Sequence, residues 1–296
     1  MQSIQLENIT VDEISLKAWE NFNMKVSALR LDKIHPVISG NKWFKLRYYL
    51  DDAINNDKST VITFGGAWSN HIVATAAACK MKNLRSLGII RGKAEKYLSA
   101  TLSQAAEYGM ELIFIDRDKY SDKEVPENIK DPGSYIIPEG GFGNMGAKGA
   151  ATILDLVEKE KYSHICCAVG TATMMAGLIN ASPATNTTIG INVLKNKPET
   201  EKNILSLIGS TDKPYSLIDD FHFGGYAKKN AELIAFINHF YTETGIPSDF
   251  VYTGKLFFAI DNMIKQGFFP GNSHLIIIHS GGLQGNASLS KGTLIF

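Results

Sequence analysis

The sequence predicts an α/β fold with mainly parallel sheets that helices cover on both faces. Two observations lead to this prediction. Apolar runs typical of strands alternate with amphipathic stretches typical of helices along almost the whole chain, which is the pattern of successive βαβ units. Four of the turns that follow a candidate strand are also rich in glycine and polar residues, and ligands of such folds bind beyond the carboxyl ends of strands. We therefore expect a ligand site where these turns meet.

The candidate elements follow one another in a regular order. Eight short, mainly apolar runs predict strands at residues 26–31, 60–64, 85–90, 111–115, 134–137, 164–169, 188–193 and 274–279. Five amphipathic stretches predict helices at residues 44–55, 71–82, 99–108, 144–160 and 228–241. The glycine-rich turns are residues 65–71, 139–146, 170–177 and 279–285. A polar stretch with prolines, residues 119–133, predicts an excursion over the surface.

Length and composition exclude several classes of protein. The 296 residues suffice for one large α/β domain or two smaller ones. The 30 basic residues balance the 30 acidic ones, so we expect neither a nucleic acid nor a membrane as partner. No apolar run approaches the roughly 18 residues of a spanning helix, and the N-terminus lacks the apolar stretch of a signal peptide. Three cysteines predict no disulfide framework. We therefore expect a cytoplasmic protein with reduced thiols.

Lys42 is a candidate Schiff-base lysine. The segment SGNKWFK places it just after a turn and at the start of a helical pattern. The positive end of a helix dipole tends to lower the pKa of a nearby amine. A lysine that forms a Schiff base needs this effect, since only the neutral amine attacks an aldehyde. From this segment alone, a lysine in solvent is the alternative.

The segment FGGAWSNH, residues 64–71, predicts a carboxylate-binding helix start. It follows a candidate strand and opens an alanine-rich helix, with Ser69 or Asn70 as the N-cap. The first N–H groups of a helix have no partner within it, and they attract anions. A helix cap without a ligand is the alternative. His71 is either a base or a structural residue.

The segment AVGTATMMAG, residues 168–177, predicts a phosphate-binding turn. Gly170 frees the backbone, Thr171 and Thr173 supply hydroxyls, and the helix that follows presents N–H groups. The lysine of a P-loop is missing, although a phosphate monoester does not need it. A tight turn without a ligand is the alternative.

Two other kinds of site have weak support in the sequence. The run GFGNMG, residues 141–146, matches the glycine pattern of dinucleotide-binding domains. However, Pro138 shortens the strand before it, and the next strand ends without the acidic residue that would bind a ribose. The histidines and cysteines lack the spacings of metal ligands, so no metal site is expected.

Six segments in order resemble one known family. They are GNKWFKLRYYL, GGAWSNH, IPEGGFGNMGAKG, VGTATMMAG, VYTGK and HSGG, between residues 39 and 282. Together they resemble the D-cysteine desulfhydrase and 1-aminocyclopropane-1-carboxylate deaminase family of pyridoxal-phosphate (PLP) enzymes. The resemblance implies a homodimer with a tryptophan-synthase-β-like fold (PLP fold type II). The active site would lie between a small domain, residues 44–138, and a large cofactor-binding domain formed by residues 1–43 and 139–296.

The resemblance also implies a role for each matching residue. Lys42 would hold pyridoxal 5′-phosphate as a Schiff base. Asn70 would bind the phenolic oxygen of the cofactor, and Ser69 and His71, with the neighbouring amides, would bind the substrate carboxylate. The cofactor phosphate would bind to the turn formed by Gly170, Thr171, Ala172 and Thr173.

Tyr226 and Tyr252 match the two active-site tyrosines of the family. The deaminases carry a glutamate after the second tyrosine, facing the pyridine nitrogen of the cofactor, whereas this chain has Thr253. In the HSGG block the deaminases carry leucine where this chain has Ser280. Two hydroxyls can only hydrogen-bond a neutral ring nitrogen, and this weaker electron sink suits β-elimination.

The sequence therefore predicts a PLP-dependent lyase or deaminase that acts on a small amino acid. The most specific prediction is D-cysteine desulfhydrase-like α,β-elimination to pyruvate and ammonia, with Lys42 or Tyr252 as the base for the α-proton. The alternatives are a 1-aminocyclopropane-1-carboxylate deaminase, a racemase, and a non-catalytic binder of phosphorylated ligands or dinucleotides. Trp43-Phe44 and Ile72-Val73 depart from the family pattern near the site, which leaves the natural substrate open.

Overall fold

Two β-sheets form the framework of this protein, for which a computed structural model describes residues 3–94, 96–121, 123–209 and 211–296. The strands are β1 (Val11–Glu13), β2 (Lys25–Arg30), β3 (Thr60–Gly65), β4 (Arg85–Arg91), β5 (Met110–Ile115), β6 (Ser134–Ile137), β7 (His164–Val169), β8 (Thr187–Asn192), β9 (Tyr215–Ile218) and β10 (His274–His279). The helices are α1 (Asn41–Asn55), α2 (Asn70–Met81), α3 (Ala100–Glu107), α4 (Arg117–Tyr120), α5 (Asn144–Ala151), α6 (Thr173–Ala181), α7 (Lys197–Leu207), α8 (Ala231–Thr244) and α9 (Thr253–Lys265).

The larger sheet has six strands in the order β1-β2-β10-β7-β8-β9, and the smaller has four in the order β5-β4-β3-β6. Every neighbouring pair is parallel except β1 with β2. The predicted α/β class with mainly parallel sheets is therefore confirmed. All eight predicted strands are present, each within one residue of its predicted ends, and β1 and β9 are additional.

The five predicted helices are also present, but one of them ends early. The amphipathic pattern predicts a helix over residues 144–160, whereas α5 ends at Ala151 and a 3-10 helix follows over Thr152–Leu156. The hydroxyl of Thr152 donates a 2.7 Å hydrogen bond to the carbonyl oxygen of Gly149. Such a bond from side chain to backbone competes with regular helix geometry, which gives a physical reason for the change.

Small residues let helix α5 pack against neighbouring backbone. A Cβ atom at Gly149 would lie 1.8 Å from the carbonyl oxygen of Phe44 in α1. A Cβ atom at Gly146, the last glycine of the GFGNMG run, would lie 2.0 Å from the carbonyl oxygen of Gly141. No other residue fits such an approach. The dinucleotide-like glycine pattern therefore has a structural explanation that needs no nucleotide.

Apolar side chains fill the space on both faces of the larger sheet. Successive residues of β7 alternate between two cores, with Ile165 and Cys167 on one face and Cys166 and Ala168 on the other. This is expected for a strand buried on both faces. Cys79 lies in a core of the smaller sheet, and all three cysteines are buried free thiols. Burial raises the pKa of Cys79 and that of Cys167 to about 12.

The strands of the smaller sheet all lie between residues 60 and 137, within the predicted small domain. The domain boundaries themselves stay predictions, as does the cytoplasmic location. No helix in the described part of the chain is long and apolar enough to cross a membrane. Within the same residues, no three His, Cys, Asp or Glu side chains form a cluster that could hold a metal ion.

Candidate active site

A cavity of about 380 Å³ lies where the carboxyl ends of strands from both sheets meet. Parts of all four glycine-rich turns line it, namely residues 66–71, 139–140, 170–172 and 280–282. The first turn of α1, Tyr226 and Tyr252 also line it. Ligands of parallel α/β sheets bind at this edge, so the cavity is the candidate active site.

Ten of the twelve predicted site residues line this cavity. They are Lys42, Ser69, Asn70, His71, Gly170, Thr171, Ala172, Tyr226, Tyr252 and Ser280. Thr173 and Thr253 are fully buried and do not line it. The hydroxyl of Thr173 lies 3.2 Å from that of Thr171, and the hydroxyl of Thr253 donates to Asp249 at 2.7 Å. Each of these two threonines contacts another side chain instead of the cavity.

Lys42 extends from the first turn of α1 into the cavity. Its Nζ atom donates a hydrogen bond of 2.7 Å to Asn41 Oδ1. Burial lowers the pKa of the Lys42 amine to about 8, against the opposing effect of the Asp249 carboxylate. The neutral amine, which is the form that attacks an aldehyde, is therefore far more abundant near neutral pH than it is for a lysine in water.

Gly40 fixes the position of Lys42. It precedes α1 with a φ of +63°, and a Cβ atom there would lie 1.8 Å from the carbonyl oxygen of Ser280. The N–H group of Asn41 donates to the same oxygen at 3.2 Å. Because only glycine permits both the backbone angle and this approach, the start of α1 is held against the turn that follows β10.

The turn between β7 and α6 forms an anion-binding end of the cavity. Ala172, the N-cap of the nine-residue helix α6, has a φ of +66°, and free N–H groups at such a helix start attract phosphate. Lys45 Nζ donates to Thr171 Oγ1 at 3.2 Å. Burial, and then the charge of Lys42, lower the pKa of Lys45 well below its ordinary value. Sequence reasoning missed Lys45, although its spacing of three residues from Lys42 places both on one helix face.

Ser69 and Asn70 form the start of helix α2, as the sequence predicts. Ser69 is the N-cap, and its Oγ atom accepts a hydrogen bond from the N–H group of Ile72 at 3.4 Å. Asn70 Nδ2 donates to the carbonyl oxygen of Gly282 at 3.3 Å. Asn70 Oδ1 is buried and has no hydrogen-bond partner among the described residues. A buried acceptor without a partner is costly, so this amide has unused capacity to bind a ligand.

His71 is held as a neutral imidazole with a defined proton position. Thr63 Oγ1 donates to the carbonyl oxygen of Ile137 at 2.8 Å, so it accepts the 2.8 Å hydrogen bond that it shares with His71 Nε2. The ring proton is therefore on Nε2, and the buried Nδ1 has no partner within the described chain. Burial, followed by the charges of Lys45 and Lys42, lowers the pKa of His71 well below its ordinary value.

Tyr226 and Tyr252 form an edge-to-face pair in the cavity wall, with ring centroids 6.1 Å apart. Burial raises the pKa of each phenol above its usual value of 10, so both keep their protons at neutral pH. The loop that carries Tyr226 is held by Lys255, whose Nζ donates 2.8 Å hydrogen bonds to the carbonyl oxygens of His222 and Gly225. Burial lowers the pKa of Lys255 to about 8.

Asp249 is a fully buried carboxylate behind this wall that the sequence did not reveal. It accepts hydrogen bonds from the N–H groups of residues 251, 252 and 253, each of 2.8 Å. The Thr253 hydroxyl donates to it as well. Its burial raises its pKa, while these bonds favour the charged form. Asp side chains often accept from N–H groups a few residues later in a turn, and this tendency could have indicated the arrangement.

These groups fit a ligand that carries an aldehyde and a phosphate. The Lys42 amine, whose pKa is lowered, can attach the aldehyde. The start of helix α6, together with the buried Lys45, can bind the phosphate. The Asn70 oxygen, which has no partner in the described part of the chain, lies in the same cavity wall. Pyridoxal phosphate has both reactive features, and the residues present fit it.

Comparison with known proteins identifies the family. The model of the "Pyridoxal-phosphate dependent enzyme" family matches residues 17–281. A Pyrococcus abyssi protein, provisionally named a 1-aminocyclopropane-1-carboxylate deaminase, is 32% identical over 84% of this chain and 81% of its own. D-cysteine desulfhydrase of Serratia proteamaculans is 24% identical, with 86% of each chain covered.

A solved structure agrees with these sequence matches. The crystal structure described as an "ACC deaminase homologue" superposes with a TM-score of 0.81 at 26% identity, covering 94% of this chain and 90% of the other. The predicted fold type, family and cofactor are thereby confirmed. Since the family match spans most of the sequence, this chain belongs to the pyridoxal-phosphate dependent enzymes.

Proposed function

We propose that this enzyme removes the β-substituent of a small amino acid by α,β-elimination, with D-cysteine as the simplest substrate. The net reaction converts D-cysteine and water to pyruvate, ammonia and hydrogen sulfide. The position after Tyr252 carries this proposal. Thr253 stands where the family resemblance puts a glutamate in the deaminases, and its hydroxyl bonds to Asp249. This chain therefore has no acid at this position that would keep the pyridine nitrogen of the cofactor protonated.

The residues of the cavity divide among the parts of the cofactor. When bound, pyridoxal phosphate supplies a conjugated electron sink that weakens the bonds at the amino-acid Cα. Lys42 would attach the aldehyde, Lys45 and the N–H groups of residues 170–173 would hold the phosphate, and Asn70 would bond the phenolic oxygen. Ser280, which lines the cavity, would offer a hydroxyl to the ring nitrogen and leave that nitrogen neutral.

The start of helix α2 would orient the substrate. Its free N–H groups and the Ser69 hydroxyl favour a carboxylate. His71 carries no positive charge, since its pKa is lowered, so its Nδ1 would accept from a donor group of the substrate and could not bond the carboxylate, which is also an acceptor. In this arrangement the protein holds the substrate carboxylate at one wall and leaves the substrate side chain free.

Lys42 is a better candidate than Tyr252 for the base that takes the α-proton. The pKa of Lys42 is lowered to about 8, so its amine accepts a proton near neutral pH. The pKa of the Tyr252 phenol is raised, so a phenolate is scarce. Tyr252 and Tyr226 would instead serve as proton donors to the departing sulfur, which leaves with the electron pair of the Cβ–S bond.

A panel of D- and L-amino acids, scored for 2-oxo acid release by the PLP-loaded protein, tests this proposal. We expect pyruvate from D-cysteine at a higher kcat/KM than 2-oxobutyrate from 1-aminocyclopropane-1-carboxylate. The protein should also absorb near the violet edge of the visible range and lose this band with borohydride. A colourless protein that releases no 2-oxo acid from any amino acid would contradict the proposal.

Ring-opening deamination is the second candidate function, because several of the similar proteins are named for it. The reaction would need the same lysine and the same phosphate site. A kcat/KM that favours 1-aminocyclopropane-1-carboxylate over D-cysteine would select it. We also propose that the enzyme is a homodimer and is located in the cytoplasm. Sedimentation of the PLP-loaded protein tests whether it is a dimer.

A further inference from the structure

A second cavity, of about 530 Å³, adjoins the candidate active site. The two cavities share Gly66, Ala67, Trp68 and Arg91 in their walls. A Cβ atom at Gly66 would lie 3.6 Å from the guanidinium of Arg91, so this side chain lies directly beside the turn that leads into helix α2. The two cavities therefore adjoin at this turn, beside Arg91.

The wall of the second cavity is positively charged. Arg91, Lys93 and Arg117 line it, and none of its described lining residues is acidic. None of the three forms an ion pair with another described residue. The described lining therefore carries an excess of three positive charges. Such an excess attracts an anionic group.

The start of helix α3 contributes to the same wall. Ser99 and Ala100 line the cavity, and the Ser99 hydroxyl caps the helix by accepting from the N–H group of Leu102 at 3.2 Å. The same hydroxyl donates to the carbonyl oxygen of Ala67. This bond ties the second cavity to the turn that lines the first. The dipole of α3 adds to the attraction for negative charge.

We propose that the second cavity is a side-chain subsite for amino acids whose β-substituent ends in an anionic group, such as a carboxylate or a sulfonate. The inference rests on the proposed function, because the reacting end of the substrate must lie at Lys42. D-cysteine has too short a side chain to use the subsite. A thioether with a terminal carboxylate would place its methylene groups beside Trp68 and its charge beside Arg91 and Arg117.

Two nearly isosteric ligands test this subsite. S-carboxymethylcysteine has a terminal carboxylate and S-carbamoylmethylcysteine a neutral amide, and both enantiomers of each are titrated into the PLP-loaded protein. Binding is followed through the absorbance of the cofactor, which requires no turnover. We expect the carboxylate to bind about tenfold more tightly, as one charge-assisted hydrogen bond provides, and added salt to reduce this preference.

Arg117→Gln should bring the ratio of the two dissociation constants close to one, and Lys93→Met provides a second test if that variant does not fold. Arg85→Gln, at the opposite end of β4 from Arg91, is the matched control and should leave the ratio unchanged. Equal binding of the two ligands by the unmodified enzyme would overturn the proposal. So would tighter binding of the amide on addition of sulfate, since the cavity would then take a free anion. Pyruvate release from D-cysteine is measured separately, so that failure of the proposed elimination activity can be distinguished from failure of the proposed subsite.

Discussion

The two walls of the cleft hold their functional groups in different ways. On the wall formed by α1 and the turns after β7 and β10, backbone packs directly on backbone, as Gly40 does against Ser280. On the wall formed by the turns after β3 and β4, side-chain hydrogen bonds set the geometry, as between His71 and Thr63. A backbone contact tolerates no added atom, whereas side chains can be exchanged singly. The difference indicates a fixed cofactor end and an adjustable substrate end.

The largest expected effect is the loss of the amine on the fixed wall. Lys42→Ala should lower kcat/KM for the amino acid by about 10³-fold or more, since both cofactor attachment and proton transfer depend on this side chain. Steady-state pyruvate release measures the loss, and borohydride should no longer fix the cofactor to the protein. Circular dichroism like that of the unmodified chain serves as the control for folding. Retained activity above a tenth of normal would remove Lys42 from its assigned role.

Gly40→Ala tests the rigidity of the same wall. The added Cβ would clash with the carbonyl oxygen of Ser280, and we expect the free energy of unfolding to fall by about 3 kcal/mol or more. Gly245→Ala is the matched control, because Gly245 has a similar φ of +68° with nothing within 4 Å of its Cβ position. It should cost only about 1 kcal/mol of backbone strain. Denaturant unfolding of both variants gives the difference, and equal losses would show that the contact with Ser280 is unimportant.

Thr63→Val tests the wall formed by the turns after β3 and β4. It removes the hydroxyl that accepts from His71 Nε2, so the imidazole loses its fixed tautomer. We expect KM for the amino acid to rise about fivefold, the value of one neutral hydrogen bond, with little change in cofactor affinity. Thr75→Val is the control, since the buried Thr75 hydroxyl in α2 has no partner among the described residues. A comparable rise in KM for both variants would mean that the effect is general to α2.

The last expected effect concerns pH. The pKa of Lys42 is lowered to about 8, so the neutral fraction of its amine increases about tenfold per pH unit below that value and then levels off. The rate at which cofactor-free protein captures pyridoxal phosphate should follow the same curve. Stopped-flow absorbance between pH 6 and 10 measures it. A rate that still rises up to pH 10 would show an amine with an ordinary pKa.

Much of the fold follows from the sequence, because buried parallel strands are nearly continuous apolar runs. The two strands it misses are short and lie at the edges of the larger sheet. β1 has three residues and none of them is buried, and β9 has four residues of which one is buried. A strand with so few buried residues does not need a continuous apolar run, so the sequence does not reveal it.

The site is less predictable where burial of charge decides the outcome. Asp249 and Lys45 are charged residues that are buried in the structure, and only the packing of distant segments creates such an environment. Thr253 shows the converse. Its place beside Tyr252 predicts a cavity residue, but the carboxylate of Asp249 takes its hydroxyl. Sequence adjacency fixes the position of a side chain along the chain, while its direction depends on partners elsewhere.

The buried thiols have a practical consequence for studying this enzyme. Alkylating reagents attack the thiolate, and burial raises the pKa of Cys79 and of Cys167 to about 12. Modification therefore requires local opening of the chain. Cys79 lies in helix α2, which packs against the smaller sheet, while Cys166 and Cys167 lie in strand β7 of the larger one. Mass spectrometry of timed alkylation would thus report, without any engineered cysteine, which half of the molecule loosens first.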